Sequence, residues 1–399
     1  MASQRDIEIA SLLFRNGIAS QEDIQSALGH QGTLLTEGTV KSLVDILVER
    51  GILPEDSAGT FTEEPLERLQ PFPDYELLDY VGDGASARVY RGIYRPRSLR
   101  VAVKVLHPEQ ELLRKPLKRF MRESHLLCKM RHPNIVRGYE VRKIEGFRFL
   151  SMDWIEAGTI LEHIERRGRL DSPAALHLAR QIASALAYLH DAGVLHRDIK
   201  PGNLLVDYAW NVKIIDLGLC RIMGEEGNDE SEGTTVGTVG YISPEQAKGT
   251  ADLDVRSDIY SLGVTLYHMV VGEVPFSGED DFEVMSKQIM QSLGSDRLKA
   301  LNIAPHVQYV IQKMMAKDRE IRYQHPKEIV AEIDAYLKSI DYEPIPTAPP
   351  VSKNWDAITS VSPPKPKSSS GKIELTSSKR RGRSEQKPKA PTSRRRRRR

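Results

Sequence analysis

The 399-residue sequence predicts an α+β fold, a β-rich region followed by a helical one, with a helical module in front and a basic tail behind. Three observations predict it. From Tyr75 to about Gly158 the chain is a series of short apolar runs bounded by turn residues, the pattern of strands. Long apolar helical stretches follow at Ser172–Asp191 and again from Asp254 to Gly272. The charge is also divided. Residues Ser352–Arg399 hold 16 Lys+Arg against 3 Asp+Glu, or +13, so a net +2 leaves 2 − 13 = −11 on the rest. An acidic body and a basic tail need separate explanations.

Composition excludes several classes. A hydrophobic fraction of 40 % and a charged fraction of 28 % fit a water-soluble globular chain. No uncharged apolar run nears the roughly 18–20 residues that cross a bilayer. The start, MASQRDIEIA, has acidic residues and no apolar stretch, unlike a secretory signal. Cys128 and Cys220 read as free thiols in a reducing compartment. The expected location is the cytoplasm.

Residues 1–60 read as helices. Ile9, Leu12, Leu13, Ile24, Ala27 and Leu28 fall near 3.6-residue spacing, and Ser20 with Asp23 forms the cap and box partner of a second helix. A weak repeat is present: the run from Ser11 to Ser20 aligns with that from Asp45 to Pro54, 34 residues later. Each copy is a helix closed by a glycine, Gly17 or Gly51, where left-handed geometry carries no Cβ penalty. The module resembles the tandem helical repeats found ahead of bacterial secretion ATPases, some of which bind a cyclic dinucleotide. Glu8 with Ala10, and Ser42 with Val44, replace the Arg and Gly that open that repeat. Docking or dimerisation is therefore the expected role. Residues 61–74, the proline-rich end of a stretch that starts at Pro54, read as a linker.

From Tyr75 the chain reads as a glycine-bearing hairpin, then the β run Val101–Leu106. That run holds one charge, Lys104, which is costly inside an apolar strand unless it is paired or reaches water. Phe120–Leu127 is an amphipathic helix bearing Glu123, with Leu127 one turn on and facing inward. Phe149–Gly158 is a strand running into a glycine-containing connection. The helix Ser172–Asp191 leads to His196-Arg-Asp198-Ile-Lys200-Pro-Gly-Asn203. A carboxylate, a cation and an amide oxygen within one short loop suit phosphoryl transfer. One group takes the acceptor proton, one faces the moving phosphoryl group, and one holds a metal ion.

This loop resembles the catalytic loop of bacterial eukaryotic-type (Hanks-type) serine/threonine protein kinases, and about nine motifs over residues 75–340 follow that family's order. The resemblance implies the two-lobed protein kinase fold, with ATP and Mg2+ as cofactors and protein Ser/Thr hydroxyls as acceptors. Asp198, Lys200, Lys104 and Glu123 take the catalytic positions, and Asn203 and Asp216 take the metal positions. Val81, Gly82, Asp83, Gly84, Ala85, Ser86, Ala87, Arg88 and Val89 form the loop over the phosphates, with Ala87 in place of the third glycine. Ala102, Met152, Asp153, Ile155 and Leu205 complete the ATP site. Leu217 replaces the Phe that usually follows the metal-binding Asp. Thr238 is expected against Asp198 and Lys200, Asp258 against the catalytic-loop backbone, and Arg322 against Glu245. Residues 216–245 form the activation segment, with Thr234 and Thr235 as the leading phosphosites and Ser231 behind them; Arg197 pairs with the phosphate. Gly202 stands where basic-directed relatives carry Glu, so no preference for Arg near the phosphosite is expected.

Residues 341–399 are rich in Pro, Ser, Lys and Arg and cannot build a core. The run Arg394–Arg399 points to nucleic acid or another polyanion, held by charge and without base stacking. Two other readings stand beside an active kinase: a pseudokinase scaffold, and a polyanion-binding adaptor. Homodimerisation through the module is a further expectation.

Overall fold

The computed structural model describes residues 4–15, 17–36, 39–55, 66–222, 239–250 and 252–343. Thr234, Thr235, Thr238, Ser231 and the tail Arg394–Arg399 lie outside the described residues.

The N-terminal module holds α1 (Gln4–Arg15), α2 (Gln21–Thr36) and α3 (Leu43–Glu49). Ser20 Oγ accepts the Asp23 amide at 3.1 Å while Asp23 accepts the Ser20 amide at 3.0 Å, which closes the predicted box. The repeat is visible in the backbone. The amides of Gly17, Ile18 and Ala19 donate to Phe14 O, Leu13 O and Leu13 O; those of Gly51, Ile52 and Leu53 donate to Val48 O, Leu47 O and Leu47 O. The two sets match at the same 34-residue offset, and Gly17 and Gly51 have φ of 65° and 70°. Leu13, Ala27, Leu43, Ile46 and Leu47 form one buried cluster with their neighbours, and Leu112 from farther along the chain packs against it.

The stretch expected as linker is partly built into the fold. Leu66–Leu69 forms a short helix, α4, and Phe72 is buried beside Phe147 and Phe149, with ring centroids 6.3 and 4.4 Å away. The prolines mark the bends, while the burial of Phe72 depends on a sheet formed later in the chain.

The small lobe is an antiparallel sheet of β1 (Tyr75–Asp83), β2 (Ala87–Tyr94), β3 (Leu99–Leu106), β4 (Gly138–Ile144) and β5 (Phe147–Asp153), in the order β1-β2-β3-β5-β4. Between β3 and β4 lie α5 (Pro108–Glu111) and α6 (Arg114–Lys129). Glu111 anchors α5 by accepting from two of the three guanidinium nitrogens of Arg148, Nε and Nη2, and pairing with Lys143 at 3.2 Å. Leu112 lies between the two helices, so the module rests on the segment that leads into α6.

The large lobe contains α7 (Ile160–Arg167), α8 (Ser172–Asp191), α9 (Pro244–Ala247), α10 (Val255–Val271), α11 (Asp281–Met290), α12 (Asp296–Ala300), α13 (Pro305–Met314) and α14 (Pro326–Ser339). Almost every side chain of α10 is buried, Asp258 included, so it is the central helix of the lobe. Asp171 caps α8, and its carboxylate accepts the Ala174 amide. Two small sheets sit where the lobes meet. β6 (Val194–Leu195) pairs with β9 (Arg221–Ile222), and β7 (Leu204–Val206) pairs with β8 (Val212–Ile214). The loop from His196 to Asn203 is therefore held at both ends by strands, and Asp216 follows directly after β8. No helix among the described residues is long and apolar enough to cross a membrane.

Candidate active site

The loop His196–Asn203 is fixed from beneath. Asp258 of α10 is buried, and its two carboxylate oxygens accept the amides of His196 at 2.8 Å and Arg197 at 2.7 Å. A buried carboxylate holding two consecutive amides imposes one path on the chain, and Arg197 adopts a φ of 68° there. Burial pushes the Asp258 carboxyl up, against the pull of His196 and the two amides. Thr265 Oγ1 adds a bond to Ile199 O at 3.4 Å.

Asp198, Lys200 and Asn203 converge. Asp198 Oδ2 accepts Asn203 Nδ2 at 2.8 Å and lies 2.9 Å from Lys200 Nζ. Asn203 Nδ2 also donates to Asp198 O at 2.9 Å. The Asn203 amide group is thereby oriented nitrogen toward Asp198, with its oxygen turned away. Asn203 O accepts the Ile215 amide at 3.1 Å, which places Asn203 against the strand end carrying Asp216.

The third part comes from the small lobe. Lys104 of β3 is held by Glu123 of α6, Nζ to Oε1 2.5 Å. The lysine is paired rather than reaching for water. Burial alone would depress its ammonium, but Glu123 and Asp216 outweigh that and hold it above its ordinary value. Burial raises the Glu123 carboxyl, and Asp216 pushes the same way against Lys104. Asp216 ends below the ordinary carboxylate range: burial opposes ionisation, but Lys104, the Gly218 amide at 2.7 Å, His196 and Arg119 win. Leu127 is fully buried, which anchors the face of α6 that points Glu123 inward.

The glycine-rich hairpin closes over this region. Gly82 pairs with Val89 and Asp83 with Arg88 in the ladder, and Gly84 N donates to Ala87 O at 2.9 Å. A Cβ added at Gly82 would meet nothing within 4 Å, so the protein itself does not demand glycine there; the space is open to a ligand. His107 ties the tip down, its Nε2 lying 2.8 Å from Asp83 Oδ1 and 3.1 Å from Gly84 O. Ala85 at the tip is exposed, Ser86 half-buried and Ala87 buried. Val81 is 49 % exposed, unusual for an apolar strand residue.

Ala102 pairs with Met152 across β3 and β5, both buried, with Val89 and Ile155 half-buried against the same core, and Leu205 is half-buried in β7. The connection after β5 is stitched to β7: Ala157 N donates to Val206 O and Val206 N to Gly158 O. The Asp153 side chain is occupied by Tyr139 OH at 2.5 Å and the Arg137 amide at 3.2 Å, and its own amide donates to Arg137 O at 3.0 Å.

Asn203 and Asp216 offer an amide oxygen and a carboxylate, hard oxygen donors that suit Mg2+. Among the described residues no cluster of three or more His, Cys, Asp or Glu could hold a metal.

Below the loop, the predicted pair between Arg322 and Glu245 is present, Nη1–Oε1 2.7 Å and Nη2–Oε2 3.1 Å, with Ser257 Oγ donating at 2.7 Å. Two contacts escaped the sequence reading. Arg119, one helical turn before Glu123, lies against Gly218 beside Asp216. Its (i, i−4) spacing from Glu123 was the available signal. Gln246 of α9 donates to Arg197 O at 3.0 Å, and no periodicity announces that bond.

A family model described as a protein kinase domain matches residues 75–332. The chain belongs to the protein kinase domain family. Among its relatives, a probable serine/threonine-protein kinase of Clostridium perfringens is 34 % identical over 264 residues, covering 66 % of this chain and 38 % of the relative. The serine/threonine-protein kinase PrkC of Bacillus subtilis is 32 % identical over 259 residues, 65 % and 40 % respectively. The serine/threonine-protein kinase PknB of Mycobacterium tuberculosis is 31 % identical over 270 residues, 65 % and 42 %. The chain thus spans about two fifths of the length of these relatives.

Proposed function

We propose that the chain is a serine/threonine protein kinase that transfers the γ-phosphoryl group of MgATP to protein hydroxyls and phosphorylates its own activation segment at Thr234 or Thr235. The observation that carries this reading is the convergence of Asp198, Lys200 and Asn203 in one strand-anchored loop, beside Asp216 and the Lys104–Glu123 pair.

Positioning and charge do most of the work in such a transfer. Among the described residues, the side-chain contacts of Asp198 to Asn203 and Lys200 both fall on Oδ2, and Oδ1 is the oxygen proposed to face an acceptor hydroxyl. Asp198 takes the hydroxyl proton as the new O–P bond forms and the bond to the departing ADP oxygen breaks. Lys200 faces the phosphoryl group in transit. Lys104, aimed by Glu123, and the amides of residues 82–88 hold the phosphates. Asn203 and Asp216 would hold Mg2+, which neutralises phosphate oxygens when bound. Val89, Ala102, Met152 and Leu205 sandwich the base, and the backbone of Asp153 and Ile155 reads its edge. Lys200 after the base favours Ser/Thr over Tyr as acceptor.

The module acts in docking or as a homodimer contact, the tail Arg394–Arg399 binds nucleic acid or another polyanion by charge, and the protein works in the cytoplasm in signalling. The absence of a spanning helix among the described residues and two free thiols support that location.

The test is autophosphorylation with MgATP, wild type beside Asp198→Asn, with sites mapped by mass spectrometry. Phosphate on Thr234 or Thr235 in the wild type alone supports the reading. ATP binding without transfer in either protein moves the assignment to a scaffold.

A further inference from the structure

The large lobe contains a buried polar chain that the phosphotransfer site does not use. Lys317, in the connection after α13, donates from Nζ to Tyr260 OH at 2.7 Å. Tyr260 OH donates to Gln288 Oε1 at 2.6 Å. Gln288 Nε2 donates to Gly240 O at 2.8 Å. Lys317 Nζ also reaches Gln288 O at 2.7 Å, so α11 is held by both its backbone and its side chain. The side-chain donors run in one direction, from the Lys317 ammonium through Tyr260 and Gln288 to Gly240 O, while Lys317 also holds Gln288 O. Tyr260 and Gln288 are fully buried, and the ammonium lies over the rings of Phe276 and Tyr260, 4.4 and 5.1 Å from their centroids.

Such a network is expensive to build. Burial and the neighbouring Arg322 bring the Lys317 ammonium down to about 8, with Glu245 opposing. A methionine and a leucine would pack the same space with no polar group to satisfy. What the polar version adds is direction, because it fixes one carbonyl at one place.

That carbonyl belongs to the 3-10 turn Val239–Tyr241, the first described segment after residue 238. The same run continues into α9, whose Gln246 bonds Arg197 O, one residue before Asp198. Tyr241 is pinned separately, its hydroxyl 2.6 Å from His268 Nδ1. The stretch 239–246 therefore spans from the polar chain to the catalytic loop.

We propose that Lys317, Tyr260 and Gln288 are positioning residues for the acceptor side of the site: they hold Gly240 and, through residues 239–246, set the wall beside Asp198 against which a protein acceptor is placed. This rests on the kinase reading given above. None of the three touches the ATP side.

Gln288→Glu isolates the last bond. It keeps an oxygen for Tyr260 and offers Lys317 a countercharge, but sets an oxygen against Gly240 O. In the full-length protein, with full-length Asp198→Asn chain as acceptor, the KM for the acceptor rises about tenfold while the KM for MgATP stays within twofold. Lys317→Met gives a smaller shift in the same direction. Hydrogen exchange of amides 239–247 accelerates in both variants, while that of residues 198–206 holds. Equal changes in both KM values, or an unchanged acceptor KM in a folded variant, overturn the proposal. So does unchanged exchange at 239–247, which is read without turnover. A wild-type chain that transfers no phosphate counts against the kinase reading, and the exchange measurement then still decides the positioning role.

Discussion

Two buried glutamates, one in each lobe, meet a basic side chain and end in opposite electrostatic states. Glu245 in the large lobe receives three donors: two guanidinium nitrogens of Arg322 and the Ser257 hydroxyl. Burial pushes its carboxyl up, but those donors outweigh burial and hold it below the ordinary range. Glu123 in the small lobe receives, among the described residues, the single donor Lys104, stands near Asp216, and is held above the ordinary range. The first pair is complete within the protein. The second is a point charge against a carboxylate, leaving lysine capacity for a phosphate. Satisfied buried pairs fix structure, whereas under-satisfied ones mark where a ligand is expected.

The largest test of this contrast is at the reacting groups. Asp198→Asn lowers phosphoryl transfer by about 10²–10⁴-fold, the range for losing a general base. Labelled-phosphate transfer measures this, with ATP binding retained. Lys104→Met also abolishes most transfer, yet its melting temperature stays within a few degrees of wild type. If Lys104→Met melts as low as the large-lobe variants, the two pairs do the same job and the contrast fails.

Removing one partner of the large-lobe pair has the opposite profile. Arg322→Met leaves a buried carboxylate without its guanidinium and costs about 3–5 kcal/mol. At roughly 2–4 °C per kcal/mol, the melting temperature falls by about 10 °C, read by calorimetry. The double change Arg322→Met with Glu245→Leu recovers much of that loss, because no buried charge is left unpaired.

A smaller effect sharpens the electrostatics. The folded Glu245 carboxyl lies below its ordinary value of 4.5, so its contribution is present above that pH and fades as pH falls through the folded value. The melting advantage of wild type over Glu245→Gln therefore shrinks in acid. The folded Glu123 carboxyl lies above its ordinary value, so its contribution is present below pH 4.5 and is lost as pH rises through the folded value. Wild type gains on Glu123→Gln as pH falls.

The smallest effect is at the module. Leu112→Asp removes an apolar contact worth about 1 kcal/mol. It separates the melting of residues 4–53 from that of the kinase region, whose own transition stays within about 2 °C.

Much of this was legible in the sequence because chemistry constrains spacing. Asp198, Lys200 and Asn203 must share one loop, and a lysine inside an apolar strand demands a partner, which Glu123 on the next amphipathic helix supplied. The repeat in the module was legible from two glycines and proved to be a repeat of hydrogen bonds. Phe72 was not legible, since its burial depends on Phe147 and Phe149, which lie 75 and 77 residues further along the chain. Gln288 and Lys317 carry no periodic signal either. A glutamine on a helix face reads as solvated, and only the packing of α10, α11 and the turn at Gly240 brings the polar chain together.

The position of Leu112 has a consequence for the order in which the protein is made. The cluster that receives it is drawn, apart from Leu112 itself, from residues 9–53, all close in sequence. Chains leave the ribosome N-terminus first, and local contacts form quickly. The sheet beneath α6, by contrast, needs β5 and is not complete until Asp153 has been synthesised. The module is therefore a finished surface before the helix bearing Glu123 has anything to pack on. Leu112 then lands on a template already in place, and a segment made before the sheet sets the starting point of α6.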